Sequence, residues 1–101
     1  MSWDPIYKLV KQIPRGRVLS YGALARLLRL RGGARSAGRA MAATPTGKGI
    51  PWHRVVGAGG RIVFPKSSHE HREQARRLRA EGVLVKNGRV TSSALTQLDD
   101  G

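Results

Sequence analysis

Two short helical patterns that meet across Gly32-Gly33 constrain the fold of this chain more than any other feature. Ser20 stands where a helix N-cap accepts a backbone N–H, and Leu24, Leu27 and Leu28 then share one helical face. The glycine pair stops that helix, because glycine adopts the backbone angles that end helical hydrogen bonding. Arg35 to Ala43 is rich in alanine and good helix formers and ends at Thr44-Pro45, so the pattern reads as a helix-turn-helix. An ordinary helical hairpin gives the same pattern and stays the alternative, and the composition of the second helix shifts the balance toward a DNA-binding pair. Ala37, Gly38, Ala40, Ala42 and Ala43 let the second helix lie close to a groove floor while offering few long side chains to read base edges. That composition predicts sequence-insensitive docking in the minor groove of bent DNA.

The flanking segments add one more helix on each side and some short strands. Asp4-Pro5 reads as an N-cap followed by proline at the first helical position, with Ile6, Leu9, Val10 and Ile13 at helical spacing toward Pro14. Arg17-Val18-Leu19 is expected as a short strand. Residues 46–51 have no periodicity and read as a loop that delivers Trp52 and His53 to a defined place. Val55-Val56 and Arg61 to Phe64 flank a glycine-rich turn and are expected as a hairpin; Val83 to Val85 and Arg89-Val90 flank Asn87-Gly88, a strong tight-turn signal. Between them a helix is predicted from Ser68 to Ala80, with Glu73 and Arg77 spaced for a surface pair and Gly82 at a left-handed terminus. The expected fold is mainly α with a small β wing, one domain over residues 1–95 with a flexible tail over 96–101.

Charge narrows the partners. The 101 residues carry a formal net charge of +13, and Asp99 and Asp100 lie at the C-terminal end, so the folded body is more basic still. Such a surface favours a polyanion, with nucleic acid ahead of an anionic membrane because no helix pairs a basic face with a broad apolar one. No stretch approaches the roughly 20 apolar residues of a membrane span and the N-terminus does not read as a signal peptide, so a cytoplasmic protein is expected, nucleoid-associated in a bacterium and nuclear in a eukaryote. The chain has no cysteine, which excludes disulfides, thiolate zinc sites and thiol catalysis. His53, His69 and His71 do not suggest a metal site, since two histidines spaced by one residue on a polar helix start are ordinarily solvated. Nucleophile elbows, phosphate-binding loops and dinucleotide fingerprints are absent, so no cofactor is expected.

Four ordered blocks carry a family resemblance. Residues 13–25, from Ile13 to Ala25, are similar to the opening of the DNA-binding domain of 6-O-alkylguanine-DNA alkyltransferases; Ala34 to Met41 resembles their recognition helix; Pro51-Trp52-His53-Arg54-Val55-Val56 and Glu81-Gly82 follow in family order. Where the enzymes write a nucleophilic cysteine this chain has Trp52, a pattern that resembles the non-enzymatic alkyltransferase-like proteins. The resemblance implies the winged helix-turn-helix of the alkyltransferase C-terminal domain and extrusion of the target nucleotide, because the 6-oxygen of a stacked guanine is out of reach of a pocket. It implies that Arg35 enters the stack in place of the extruded base and that Tyr21 crowds the phosphate. Ser36, Ala37, Arg39 and Ala40 would form the rest of the DNA-binding helix. Tyr21, Trp52, His53, Val55 and Val56 would form the pocket, and His53 and Glu81 would remain as a structural remnant of the relay that deprotonates the thiol.

Two departures from the enzymes qualify this. Val63-Phe64-Pro65-Lys66-Ser67-Ser68 replaces the usual glycine-tyrosine-serine-glycine lid, and Thr44 replaces an asparagine ahead of the proline. The resulting expectation is a monomeric sensor that binds double-stranded DNA containing 6-O-alkylguanine, transfers nothing, and flags the lesion to the damage-recognition proteins of nucleotide excision repair. The rival expectations are a winged-helix DNA binder without lesion selectivity and a transferase that uses a nucleophile other than sulfur, such as His53.

Overall fold

In a computed structural model that describes residues 3–45, 47–91 and 94, helix α1 spans Asp4–Lys11, strand β1 Leu19–Ser20, helix α2 Tyr21–Leu28, and helix α3 Ala34–Ala42. Strand β2 follows at Val55–Val56, helix α4 at His69–Ala80, and strands β3 and β4 at Val85–Lys86 and Arg89–Val90. Trp52–Arg54 and Ala58–Gly60 are single 3-10 turns. The segment expected as a flexible tail lies outside the described residues. Among those described, no helix is long and apolar enough to cross a membrane.

The N-terminal helix begins one residue earlier than its sequence suggests. Trp3 is the N-cap and Asp4 already lies inside α1, where its carboxylate faces the positive end of the helix dipole. Ser20 caps α2 as expected, its Oγ accepting the Ala23 N–H at 3.0 Å. The glycine pair does not end α2: the helix stops at Leu28 with Arg29 in the left-handed region (φ 52°), and the Leu30 N–H returns to the Ala25 carbonyl at 2.9 Å. Gly32 serves the turn differently. At φ 87° it leaves room for the Ser36 hydroxyl, which a Cβ would meet at 2.6 Å, and that hydroxyl donates to the Arg31 carbonyl.

Strand β1 begins at Leu19 rather than Arg17 and pairs in parallel with β2, Leu19 against Val55 and Ser20 against Val56. This pairing replaces the expected hairpin between Val55-Val56 and Arg61 to Phe64. Gly59 and Gly60 adopt positive φ (69° and 89°) in a tight turn that the Gly57 N–H closes on the Arg61 carbonyl at 2.6 Å; beyond it Arg61 bridges to Arg89 and the Ile62 N–H reaches the Gly88 carbonyl at 2.8 Å. The second expected hairpin forms, with Asn87 and Gly88 both at positive φ (55° and 73°) and Val85 opposite Val90.

Alternation along the parallel pair feeds two cores. Leu19 and Val55 join Ile6, Val10, Ala23, Leu24 and Ile50 under α1, α2 and α3, whereas Val18 and Val56 join Leu78, Val83 and Val90 under α4 and the hairpin. Ala37 and Ala40 are fully buried against the first core. Their small side chains therefore let α3 approach α2 and not a DNA groove, and neither is exposed to touch DNA as expected. The Tyr7 hydroxyl fastens the same helix from α1 by donating to the Ala40 carbonyl at 2.9 Å.

Candidate nucleic-acid interface

With Ala37 and Ala40 turned inward, α3 presents Arg35 and Arg39 to solvent one turn apart. Arg26, Arg29 and Arg31 are also exposed on α2 and the turn. No Asp or Glu lies between Asp4 and Glu70, so this helix-turn-helix carries cations without compensating carboxylates of its own. Ser36 is half-buried and its hydroxyl is committed to the Arg31 carbonyl, so it shapes the turn that sets Arg35 in place. Tyr21 opens α2, half-buried on the first core, and burial pushes its phenol above the ordinary value, so it stays neutral and can donate a hydrogen bond.

Trp52 sits in the 3-10 turn that leads into β2 and is half-buried. It borders two clefts, and Thr44 borders both with it. One cleft, of about 370 Å³, is walled by Met41 and Ala42 at the end of α3 and by Phe64 and Glu70. The other, of about 350 Å³, is walled by Pro45, Gly47, Gly49, Ile50 and Arg77. The indole is held on several sides: the rings of His53 and Phe64 meet it edge-on at 6.2 and 6.3 Å, and the Arg77 guanidinium lies 5.3 Å from its centroid. The segment that stands where the enzymes have a lid supplies Phe64, and His71 pins it, because its Nδ1 donates to the Phe64 carbonyl at 3.0 Å.

Val55 and Val56, expected in the pocket wall, are fully buried in the two cores and border neither cleft. They fix the turn from below. His53 is buried too, at 8% exposure, and its Nε2 meets Glu81 Oε2 at 2.7 Å. Burial resists ionisation of Glu81, but Arg54, the Gly16 N–H at 3.0 Å and His53 overcome that and hold its carboxyl at about 2. With Glu81 ionised, His53 Nε2 carries the proton, and burial lowers the imidazole below its ordinary value despite Glu81. Nδ1 is then a buried acceptor with no partner among the described residues. Gly16 allows this approach: at φ 82° its position for a Cβ lies 3.3 Å from the Glu81 carbonyl oxygen.

Sequence reasoning did not single out Arg54, Gln74 and Arg77 as site residues. Arg54 clamps Glu81 and donates to the Ile13 carbonyl at 3.0 Å. Gln74, 1% exposed, donates to the carbonyls of His53 and Val55 at 3.1 and 2.9 Å, tying α4 to the Trp52 turn. A glutamine among apolar residues on the inner face of α4 was the available signal for the second. Arg77 forms the expected pair with Glu73 at 2.7 Å, but its position over Trp52 depends on a contact between distant segments.

A cationic helix-turn-helix, a small β-hairpin and an indole between two clefts define a winged helix-turn-helix domain without a sulfur nucleophile. Residues 3–83 match the family model described as 6-O-methylguanine DNA methyltransferase, DNA binding domain, and the chain belongs to that family. It is 35% identical over 80 residues to a DNA base-flipping protein of Vibrio parahaemolyticus, covering 79% of this chain and 78% of that one. It is 37% identical over 83 residues to Alkyltransferase-like protein 1 of Schizosaccharomyces pombe, covering 82% and 77%. Its fold matches the crystal structure of Schizosaccharomyces pombe Atl1 in complex with damaged DNA containing O6-carboxymethylguanine, with a TM-score of 0.81 at 30% identity over 96% of this chain and 99% of that one.

Proposed function

We propose that this protein binds duplex DNA containing 6-O-alkylguanine, extrudes the modified nucleotide, and holds it beside Trp52 without taking the alkyl group. The observation that carries this reading is the place of Trp52, between one cleft that adjoins the exposed recognition helix and another beyond it. The base enters the first, where Met41 and Phe64 offer apolar contact, and the alkyl group passes the indole toward the second. Arg35 occupies the emptied stack, Tyr21 crowds the phosphate and Arg39 holds the backbone.

In this reading Trp52 takes the place of the family's cysteine; the chain has no cysteine and so no thiol nucleophile. His53 does not substitute for it, since Nε2 carries the proton toward Glu81 and the lone pair left on Nδ1 is buried out of reach of a ligand. Capture without conversion suits a marker for other repair factors, and the damage-recognition proteins of nucleotide excision repair are the proposed partners of a monomeric, intracellular binder.

Competition between a 6-O-methylguanine duplex and the same unmodified duplex, followed by tryptophan fluorescence, tests the reading. Selective binding with an alkyl label that stays on the DNA supports it. Equal affinity for the two duplexes returns the chain to a DNA binder without lesion selectivity, and a gain in intact-protein mass makes it an enzyme.

A further inference from the structure

Arg77 is placed to do more than support the indole. Its side chain is 42% exposed, it walls the cleft beyond Trp52, and only its Nε is tied down, donating to Glu73 Oε2 at 2.7 Å. Neither terminal Nη has a hydrogen bond among the described residues. A guanidinium held 5.3 Å over the indole, fixed through Nε and with its Nη groups unbonded, can receive a carboxylate through two parallel hydrogen bonds. The opposite cleft has the opposite character, because Glu70 forms part of its wall. A negative charge carried on the alkyl group is therefore repelled on the base side and attracted on the far side of Trp52.

Resting on the lesion-binding reading above, we propose that Arg77 is a specificity-determining residue that selects 6-O-alkylguanines whose alkyl group ends in a carboxylate over neutral adducts of the same size. Glu73 tempers that selection. It already occupies part of the guanidinium's charge, and it also binds Arg76 Nη2 at 2.6 Å, so the carboxylate stays on α4 and leaves the Nη groups to the ligand.

The test compares three duplexes identical except at one guanine: 6-O-carboxymethyl, its neutral carbamoylmethyl isostere, and unmodified. Wild type is expected to bind the carboxymethyl duplex about tenfold tighter than the carbamoylmethyl one, the scale of a charge-assisted hydrogen bond. Arg77→Gln brings that ratio to about one, and Arg77→Met, which keeps an apolar stem over the indole, does the same. Glu73→Gln raises the ratio by removing the competing carboxylate. Comparing two adducts in one protein cancels any general loss of folding or DNA affinity. A wild-type ratio near one, or a ratio that survives both Arg77 substitutions, overturns the proposal; the latter is the result expected if Arg77 only contacts phosphate. Failure of both adducts to outcompete unmodified duplex instead overturns the lesion-binding reading on which it rests.

Discussion

Arg54 grips Glu81 side-on, with Nη2 donating to Oε2 at 2.8 Å and Nε lying 3.0 and 3.2 Å from Oε1 and Oε2. Both side chains are largely withdrawn from water, at 17% and 7% exposure, and the pair joins the end of α4 to the turn that carries Trp52. Removing the carboxylate strands a guanidinium in a poorly solvated place. Glu81→Ala is therefore expected to lower unfolding free energy by about 3 kcal/mol, measured by urea denaturation. A change under about 0.5 kcal/mol would place this pair with ordinary surface ion pairs.

Acid should loosen the same turn in two stages. His53 is held below its ordinary value in the folded protein, so the unfolded chain binds more protons as pH falls below about 6.5, and stability declines. Glu81, held at about 2 when folded, adds its stabilisation fully above its unfolded value near 4.5 and loses it progressively between 4.5 and 2. Melting temperature measured from pH 8 to 3 should fall through both windows. Glu81→Gln should flatten the lower one, and an unchanged lower limb contradicts the assignment.

Substitutions on the two faces of α3 should behave in opposite ways. Ala37 is fully buried while Ala34 is exposed. Ala37→Leu overpacks the contact with α2 and is expected to cost about 1–3 kcal/mol. Ala34→Leu should leave the melting temperature nearly unchanged. Equal melting temperatures for the two variants would mean that Ala37 is not a packing residue.

Arg35→Ala removes an exposed side chain and should leave folding intact, while weakening binding to a 6-O-methylguanine duplex about tenfold or more. Its effect on unmodified duplex should be smaller, because only an extruded base leaves a gap to fill. Arg39→Ala, by contrast, should weaken both duplexes alike and reduce the salt slope by about one, as expected of a side chain that holds the DNA backbone. An unchanged preference for the lesion in Arg35→Ala disproves its place in the stack.

Trp52→Ala joins the two clefts and deletes the apolar wall. We expect the preference for alkylated over unmodified duplex to fall about tenfold, near the 1.4 kcal/mol of one lost aromatic contact. Affinity for unmodified duplex, which depends on the arginines of the helix-turn-helix, should persist. Full retention of lesion preference would move the binding site elsewhere.

The order of helices was legible because their signals are local: Ser20 caps α2, Ser68 caps α4, and Asn87-Gly88 turns the terminal hairpin. Errors arose where a distant segment decided the outcome. Val55-Val56 has the composition of a hairpin strand, yet its partner is β1, which a sequence read in short windows does not place beside it. Ala37 and Ala40 face the core while Ala34 and Ala42 stay exposed, and composition does not separate the two sets, since a buried helix contact and a groove contact call for the same small residues. At the candidate site, the ordered motifs point to Trp52, His53 and Glu81, and the structure brings the last two within 2.7 Å of one another. Arg54 and Arg77 act through contacts made only when α4 folds back on the Trp52 turn, and in the sequence each looks like any other arginine of a basic chain; Gln74, set among apolar residues on the inner face of α4, carries a signal of its own.

The parallel pairing of β1 and β2 also governs how the molecule comes to fold. Leu19 meets Val55 only after the whole helix-turn-helix has been enclosed between them, so loop-closure entropy is spent before the strand contact repays it. Assembly of the two cores is thereby made concerted: neither half gains a finished strand partner from a truncated chain, and a cut between α3 and Trp52 separates the arginines from the seat of the indole in a single step.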